Sequence, residues 1–163
     1  MPSNVAIALG SNVGDRRAHL DYAVFRLADF LDHFRVSRYL DTAPVDVAGE
    51  QPDFLNAAAV GDTTLSPREL LNALLAVEAE RGRARPFPGA ARTLDLDLVL
   101  FGDQIINEPG LIVPHPRFRE RRFVLEPLAR IAPDLMDPVT GRSVAQLLDL
   151  IIGSRMRFSH GGS

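Results

Sequence analysis

Two aspartates, Asp95 and Asp97, lie one residue apart in the stretch RTLDLDLVLF, which is otherwise apolar and typical of a β-strand. Because side chains alternate across a strand, the neighbouring leucines are predicted to face the core and the aspartates to share the opposite face. The predicted core-facing row is Leu94, Leu96, Leu98 and Leu100, and the predicted opposite row is Asp95, Asp97, Val99 and Phe101. Two carboxylates about 7 Å apart along a strand repel each other, so a cation is expected between them.

A divalent metal ion is the functional interpretation of this carboxylate pair. Two carboxylates that leave positions open for water and phosphate oxygens suit Mg²⁺, and two such ions can clamp a triphosphate. The structural alternative is that both aspartates form surface ion pairs with arginines. An Asp-x-Asp pattern alone occurs by chance in many strands and does not decide between the two.

Arginines are concentrated on either side of the aspartate strand. Eight of the 18 basic residues fall in two short segments there, although the net charge of the chain is -3. These residues are Arg81, Arg83, Arg85, Arg92, Arg117, Arg119, Arg121 and Arg122. Guanidinium groups around a metal-binding pair are typical of a polyphosphate site, because each can bind phosphate through paired hydrogen bonds. For Arg81, Arg117 and Arg119 we instead expect ordinary solvated charges.

The composition excludes several other kinds of site. The 163 residues contain no cysteine and all 18 basic residues are arginine, which rules out thiolate chemistry, Schiff bases and the lysine of a Walker A loop. The acidic balance argues against nucleic-acid binding. No apolar run is long enough to span a membrane, and the N-terminus lacks the pattern of a signal peptide. We therefore expect a cytoplasmic protein without a membrane partner.

The order of predicted elements indicates the fold class. A strand at VAIALGSN precedes a helix, and extended segments at FRVSRYL and FLNAAAVGDTTL precede a second helix. Ser66 is the predicted N-cap of that helix, with Pro67 at its first position, Glu69 completing a capping box and Gly82 at its end. The aspartate strand follows. This β-α-β-β-α-β order predicts an α+β fold, a ferredoxin-like α/β sandwich with a mainly antiparallel sheet, helices on one face and mobile active-site loops.

The length favours a single domain, 1–163. We expect a terminal helix that ends at Gly153, followed by a frayed tail from about residue 154. Glu78 is unusual because it shares the apolar face of the second helix with Leu71, Leu74 and Leu75. A salt bridge with an arginine of the following loop and a role in a binding site are equally compatible with that position.

Four segments, in this order and spacing, resemble the 6-hydroxymethyl-7,8-dihydropterin pyrophosphokinases of the folate pathway, also called 2-amino-4-hydroxy-6-hydroxymethyldihydropteridine diphosphokinases. The segments are ALGSN, QPDFLNAA, ARTLDLDLVLFG and VPHPRFRERRFVLEPL, and together they span nearly the whole chain. The resemblance implies transfer of pyrophosphate from ATP to the hydroxymethyl group of the pterin, with release of AMP. It also implies a ferredoxin-like fold and two Mg²⁺ ions bound with ATP. We expect a monomer.

The resemblance also implies roles for individual residues. Asp95 and Asp97 match the metal ligands and, with Arg83 and Arg92, the catalytic positions. The substrate-binding positions of the family correspond to Thr42, Pro44, Phe54, Asn56 and Phe123, where two aromatic rings enclose the pterin and the amide hydrogen-bonds to its edge. The nucleotide-binding positions correspond to Glu78, Arg83, Arg92, His115 and Arg121.

The chain departs from the common form of the family at three positions. Gly89 stands where a tryptophan is usual, and Phe87 is the aromatic residue nearest to it. Gly110 and Ile112 stand where some relatives carry a basic residue and a hydroxyl. These differences bear on loop closure and on affinity for ATP.

Two other functions fit parts of the pattern. A palm-type nucleotidyltransferase also uses two aspartates on a ferredoxin-like sheet, but it would release pyrophosphate and favours a basic surface. A non-enzymatic regulatory module of the same fold would leave the aspartates and the clustered arginines without a use. Aromatic residues flanking Asn56 favour the pterin enzyme over both.

Overall fold

The computed structural model describes residues 2–42, 54–82 and 93–161. Its strands are β1 (Ser3–Ser11), β2 (Asp32–Val36), β3 (Leu40–Thr42), β4 (Phe54–Thr63), β5 (Asp95–Phe101), β6 (Ile106–Glu108) and β7 (Leu111–Val113). Its helices are α1 (Arg16–Leu27), α2 (Pro67–Gly82), α3 (Arg122–Ile131) and α4 (Val144–Gly161), with a 3₁₀ turn at Phe118–Glu120. Within these ranges, no helix is long and apolar enough to cross a bilayer.

The main sheet is antiparallel and has β1 in its interior. Its hydrogen-bonded order is β2-β4-β1-β5, and β3 pairs with the beginning of β4. Strands β6 and β7 form a separate hairpin, of which β7 contacts β5. The predicted combination of helices with an antiparallel sheet is confirmed. Since β5 is at an edge, the side chains near its start are accessible from the face and from the side of the sheet.

One face of the sheet is covered by α1 and α2. Val5, Ile7 and Leu9 of β1 pack there in one buried cluster with the apolar sides of both helices. The fully buried helix residues of this cluster are Leu20, Ala23, Leu27, Leu70, Leu74 and Val77. Burial of each leucine side chain contributes about 2 kcal/mol, which makes the cluster the main support of the β1 and α2 positions.

The capping box predicted for α2 is present. Ser66 Oγ accepts a hydrogen bond from the backbone N–H of Glu69 at 3.1 Å, and Glu69 Oε1 accepts one from the backbone N–H of Ser66 at 2.9 Å. These two bonds satisfy backbone donors that have no partner within the helix. The start of α2, and with it the phase of the whole helix, is therefore set by local sequence.

Helices cover the second face of the sheet as well, which corrects the expectation that they lie on one face only. Buried residues of α3 and α4 pack there against Ala6 and Ala8 of β1 and against Ala58 and Val60 of β4. The physical reason is visible in VAIAL of β1, where every residue is apolar. A strand without alternation is buried on both faces and needs a cover on each.

A β-bulge interrupts the predicted leucine row of β5. Ile7 pairs with Leu98 whereas Ala6 pairs with Leu100, so Val99 is an extra residue between them. An extra residue reverses the side-chain alternation beyond it. Leu100 therefore packs in the second cluster with Val99, and Phe101 joins the first cluster, contrary to the alternation expected from the sequence.

The last helix also differs from its prediction. Helix α4 continues to Gly161 instead of ending at Gly153. Gly153 does not have the positive φ that a glycine adopts when it ends a helix, so it is an interior helix residue here. The two segments expected to form mobile active-site loops, 44–53 and 83–92, lie outside the described residues.

Candidate active site

Three neighbouring strands place Asn56, Gly10 and Asp95 in one row across the sheet. Gly10 of β1 pairs with Asn56 of β4 on one side and with Asp95 of β5 on the other. Two interstrand spacings separate the backbones of Asn56 and Asp95 by about 10 Å. The amide and the carboxylate thus stand at opposite sides of a floor made by a residue without a side chain.

Asp97 belongs to the next row along the same face. It pairs with Ala8 of β1, and Ala8 pairs with Ala58 of β4. Asp95 and Asp97 alternate with Leu94 and Leu96, which are buried in the α1–α2 cluster. Both aspartates are partly exposed, so they face away from the leucine core as predicted. The small side chains on β1 leave space in front of the carboxylates.

The chemistry of the carboxylate pair fits a hard divalent cation. Carboxylates on the same face, both partly exposed, supply the oxygen donors that Mg²⁺ prefers. Within the described ranges, no group of three or more His, Cys, Asp or Glu side chains is close enough to hold a metal. The described residues thus supply two carboxylates, and further ligands would be water or phosphate oxygens, as in many Mg²⁺ sites bound with a nucleotide.

Asn56 is held in one orientation by Thr42. It is 4% exposed, and its Nδ2 donates to Thr42 Oγ1 on β3. Its Oδ1 extends over Gly10, where a Cβ atom would lie 3.2 Å from this oxygen and 4.0 Å from Cδ1 of Phe54. Phe54 and Asn56 therefore border the same open floor. Pro44, predicted beside them, lies outside the described residues.

Phe123 and Arg121 approach this face from the start of α3. The Phe123 ring is partly buried against the second cluster, and the Arg121 guanidinium carbon lies 5.5 Å from the ring centroid. A cation at that distance is attracted by the electron-rich ring face. The contact places the guanidinium near the ring, and none of its donors forms a hydrogen bond with another of the residues that the structure describes.

The β5 bulge anchors His115. The carbonyl of Val99 accepts a hydrogen bond from the backbone N–H of His115 at 2.9 Å. His115 Nδ1 accepts from the backbone N–H of Arg117 at 3.1 Å. Because the neutral imidazole has one donor and one acceptor nitrogen, this bond leaves the proton on Nε2.

The surroundings of His115 favour its neutral form. Burial lowers the pKa of the His115 imidazole below its ordinary value; the negative charge of Asp97 acts in the opposite direction, and the positive charges of Arg121 and Arg117 lower the pKa further. The net direction is downward. His115 is therefore suited to donate one hydrogen bond from Nε2 at neutral pH.

A pocket of about 260 Å³ opens at the β5 edge, between α2 and the β6–β7 hairpin. Its lining residues are Leu71, Leu75, Glu78, Leu96, Asp97, Leu98, Gly110, Leu111, Ile112, His115 and Pro116. Leu75 and Ile112 are each 49% exposed, and both contribute to this lining. Such apolar walls with polar groups at one end suit a flat heterocycle attached to a charged group.

Glu78 lies at the polar end of the pocket. Its Oε2 accepts a hydrogen bond from the backbone N–H of Leu96 at 2.7 Å, and it is 7% exposed. This bond satisfies a donor on the outer edge of β5, between Asp95 and Asp97. Glu78 therefore links α2 to the strand that carries both aspartates.

Two arginines expected to be solvated instead make specific contacts. Arg119 donates from Nε and Nη2 to the carboxylate of Asp137, which is completely buried. Arg81 donates from Nε to His19 Nδ1 at 3.0 Å and stacks on Tyr22 of α1. The expectation failed because both partners are distant in sequence. Arg83 and Arg92 lie outside the described residues.

Several residues of this region were not singled out from the sequence. Gly10 was not identified as a floor, although a glycine inside an apolar strand often marks close approach by another group. Leu75 was assigned to the apolar face of α2, whereas half of its surface is exposed in the pocket. Nothing local marks the bulge at Val99, because it results from the pairing with β1.

Comparisons with known proteins identify the family of the chain. A family model described as 7,8-dihydro-6-hydroxymethylpterin-pyrophosphokinase (HPPK) matches residues 6–133. A 2-amino-4-hydroxy-6-hydroxymethyldihydropteridine pyrophosphokinase of Pseudomonas aeruginosa is 40% identical over 153 residues, which cover 91% of each chain. The enzyme of the same name from Bacillus subtilis is 42% identical over 147 residues, 88% of this chain and 87% of that one.

Solved structures give the same result for the fold. The crystal structure of wild-type Plasmodium falciparum HPPK-DHPS matches 98% of this chain with a TM-score of 0.78 at 14% sequence identity. The chain spans 46% of that longer protein. With the family model covering most of the described core and curated relatives matching over nearly their whole length, the chain belongs to the 7,8-dihydro-6-hydroxymethylpterin-pyrophosphokinase family, whose members are kinase-type enzymes.

Proposed function

We propose that this protein transfers the pyrophosphoryl group of ATP to the hydroxymethyl oxygen of 6-hydroxymethyl-7,8-dihydropterin, as a cytoplasmic monomer. A bond forms between that oxygen and the β-phosphorus of ATP. The bond between the β-phosphorus and the oxygen bridging to the α-phosphorus breaks, and AMP leaves with that oxygen. The hydroxyl proton is released. The observation that carries the proposal is the row of Asn56, Gly10 and Asp95 on one sheet face, beside a pocket that Asp97 lines.

The pterin is proposed to lie on the Gly10 floor. The absence of a side chain there permits a flat ring system to approach the sheet. Asn56 would hydrogen-bond to the ring edge, with its orientation preset by Thr42. Phe54 and Phe123 border the same face, and stacking between them would add affinity. We place Pro44 in this site on the family resemblance alone.

ATP is proposed to occupy the pocket at the β5 edge. The base would lie between the apolar walls that include Leu71, Leu75 and Ile112. The phosphates would then extend toward Asp97, where neutral His115 can donate from Nε2 and Arg121 supplies positive charge. Glu78 would border the nucleotide where α2 meets β5. Arg83 and Arg92 are expected to add further cations from the segment that follows α2.

Asp95 and Asp97 would hold Mg²⁺, two ions when ATP is bound, and the metal would supply charge neutralisation of the triphosphate. The residues of the chain act mainly by positioning. The carbonyl of Val99 at the bulge holds the backbone of His115, and the pairing of β5 with β1 holds Asp95 in the row of Asn56 and Asp97 in the next row. Transfers of this type need aligned reactants and stabilised charge more than a strong base, so we assign no general base.

Incubation with ATP, Mg²⁺ and 6-hydroxymethyl-7,8-dihydropterin is expected to yield one AMP for each pterin consumed. Separation of the nucleotide products by chromatography measures this directly, and omission of the pterin is the control. Release of pyrophosphate would instead support a nucleotidyltransferase, and formation of ADP a simple kinase. Either result, or no turnover, would reject the proposed reaction.

Replacement of Gly10 by alanine is expected to raise KM for the pterin by about 10-fold, the effect of one methyl group on a tight site. The added Cβ would lie 3.2 Å from Asn56 Oδ1 and would occupy the floor. Gly153→Ala is a matched control, because a Cβ there meets nothing within 4 Å. Steady-state kinetics with each substrate varied in turn test this. An unchanged KM for the pterin in Gly10→Ala would show that the pterin does not bind over Gly10.

A further inference from the structure

Arg68 continues the pocket-facing side of α2 beyond its apolar residues. Arg68, Leu71, Leu75 and Glu78 follow at spacings of three, four and three, which places them on one face of the helix. The last three line the pocket. Arg68 therefore lies at the opposite end of this face from Glu78, about 15 Å along the helix axis by the rise per residue.

The Arg68 guanidinium is held against the opposite wall of the pocket. Its Nη2 donates to Glu108 Oε2 at 3.2 Å and to the carbonyl of Pro109 at 3.1 Å, both at the turn between β6 and β7. Its Nη1 lies 3.7 Å from the point where a Cβ on Gly110 would be. Gly110 lines the pocket, so the guanidinium bridges α2 and the hairpin at the outer mouth.

This arrangement orients the Arg68 guanidinium and leaves some of its N–H donors available to a ligand. All hydrogen bonds that Arg68 forms with the described residues come from Nη2, which leaves Nη1 for a ligand. A guanidinium group has donors only and stays charged at physiological pH, so it recognises acceptor atoms. Because Glu108 and Pro109 already hold the group in place, a ligand would not have to order it, and less affinity is lost to that ordering.

We propose that Arg68 is a nucleotide-binding residue, which donates from Nη1 to an acceptor on the nucleoside portion of ATP. The inference rests on the proposed function, because it uses the same pocket. Asp97 and His115 are at the polar end, where the phosphates belong, and Arg68 is at the far end of the α2 face from Glu78. The base and ribose are the parts of ATP that face this outer end, and both present nitrogen or oxygen acceptors.

Arg68→Met removes the guanidinium and keeps an unbranched apolar side chain that corresponds to the stem of arginine. It is expected to weaken binding of α,β-methylene-ATP by about 5-fold, within the range for one partly exposed charged hydrogen bond. KM for ATP should rise by the same factor, with kcat and KM for the pterin unchanged. Arg130→Met is the matched control, since Arg130 is similarly exposed and also contacts a glutamate. Calorimetric titration measures the binding, and an unchanged affinity in Arg68→Met would overturn the inference.

Glu108→Gln separates direct contact from support of the pocket wall. This variant weakens the tie between α2 and the hairpin but keeps the guanidinium, so it should retain most of the wild-type affinity. Equal losses in Arg68→Met and Glu108→Gln would show that Arg68 acts only by holding the hairpin, which contradicts direct binding.

The choice of nucleotide tests which part of ATP is contacted. Arg68→Met is expected to weaken the binding of AMP and of α,β-methylene-ATP by the same factor, because both carry the same nucleoside. A loss confined to α,β-methylene-ATP would assign Arg68 to the terminal phosphates and overturn the inference. If the wild-type protein binds neither nucleotide, the proposed function fails, and the inference fails with it. The inference alone fails if the wild-type protein binds both nucleotides and Arg68→Met binds them with the same affinity.

Discussion

Replacement of Asp97 by asparagine is expected to lower kcat for AMP formation by about 10³-fold, equivalent to about 4 kcal/mol of transition-state stabilisation. Asparagine keeps the shape of the side chain but removes the negative charge that a divalent cation requires. Asp97 is partly exposed and faces the small residue Ala8, so the loss of charge should not disturb packing. The rate is measured at saturating ATP and Mg²⁺, and the melting temperature should stay within about 2 °C of the wild-type value.

Asp103→Asn is the matched control for this experiment. Asp103 is exposed in the turn directly after the same strand, so its carboxylate should be irrelevant to turnover. A kcat of Asp97→Asn equal to that of the control would mean that the two aspartates of β5 form only surface ion pairs. That outcome would support the structural alternative, in which the aspartates bind no metal.

Replacement of Arg119 by methionine is expected to destabilise the protein by about 3 kcal/mol at neutral pH, because it leaves a buried carboxylate without its cation. Asp137 is completely buried and accepts hydrogen bonds from Arg119, from Thr140 Oγ1 and from the backbone N–H of Val139. For a domain of this size the melting temperature should fall by about 10 °C. Urea denaturation gives the free energy directly.

The pH dependence of this loss has a defined sign. Burial acts to raise the pKa of Asp137, but the hydrogen bonds from Arg119, Thr140 and Val139 outweigh it and hold the pKa below its ordinary value. In the wild type this contributes stability above the unfolded-state pKa, which is lost as the pH falls through the folded-state pKa. Without Arg119 the effect of burial is less opposed, and the pKa of Asp137 moves upward. The deficit of Arg119→Met should therefore be largest at neutral pH and shrink on acidification.

Arg122→Met provides the comparison for the Arg119 variant. Arg122 pairs with Glu126 one helical turn away at 3.0 Å, and both side chains are partly exposed. Such a pair contributes about 0.3 kcal/mol. If Arg119→Met and Arg122→Met unfold at the same urea concentration, the contact between Arg119 and Asp137 does not stabilise the protein as predicted.

Much of the fold was predictable because its signals are local. The capping box of Ser66 and Glu69 depends on residues three apart, and it correctly predicted where α2 begins. The alternation of β5 placed Asp95 and Asp97 on one face because no irregularity occurs before Leu98. The second layer of helices was not predicted, because a continuous apolar strand such as VAIAL does not indicate which elements pack on each of its two faces.

The site was predictable to a lesser degree. The two aspartates were predicted from the alternation of their strand, whereas Phe54, Asn56 and His115 came from the family resemblance. In the structure Phe54 and Asn56 on β4 and both aspartates on β5 share one sheet face on either side of β1, and His115 lines the pocket with Asp97. Gly10 and Arg68 were not predicted, because the meaning of each depends on a neighbour that is distant in sequence. Arg119 was assigned to solvent for the same reason, since Asp137 lies 18 residues later.

Helix α3 and the β6–β7 hairpin were not predicted. The sequence by itself determined the order of the main strands and helices from β1 to β5, the N-cap of α2, the shared face of the two aspartates and the lack of cysteine and lysine chemistry. These features follow from residue identity and from spacings of two to four residues, because the local geometry of a strand or helix sets the side to which each side chain projects. Only the tertiary structure decided that Gly10 separates Asn56 from Asp95, that Val99 bulges to hold His115, and that Arg68 reaches the β6–β7 turn. Each of these depends on which strand or helix packs beside which, and burial of apolar surface over the whole domain selects that arrangement.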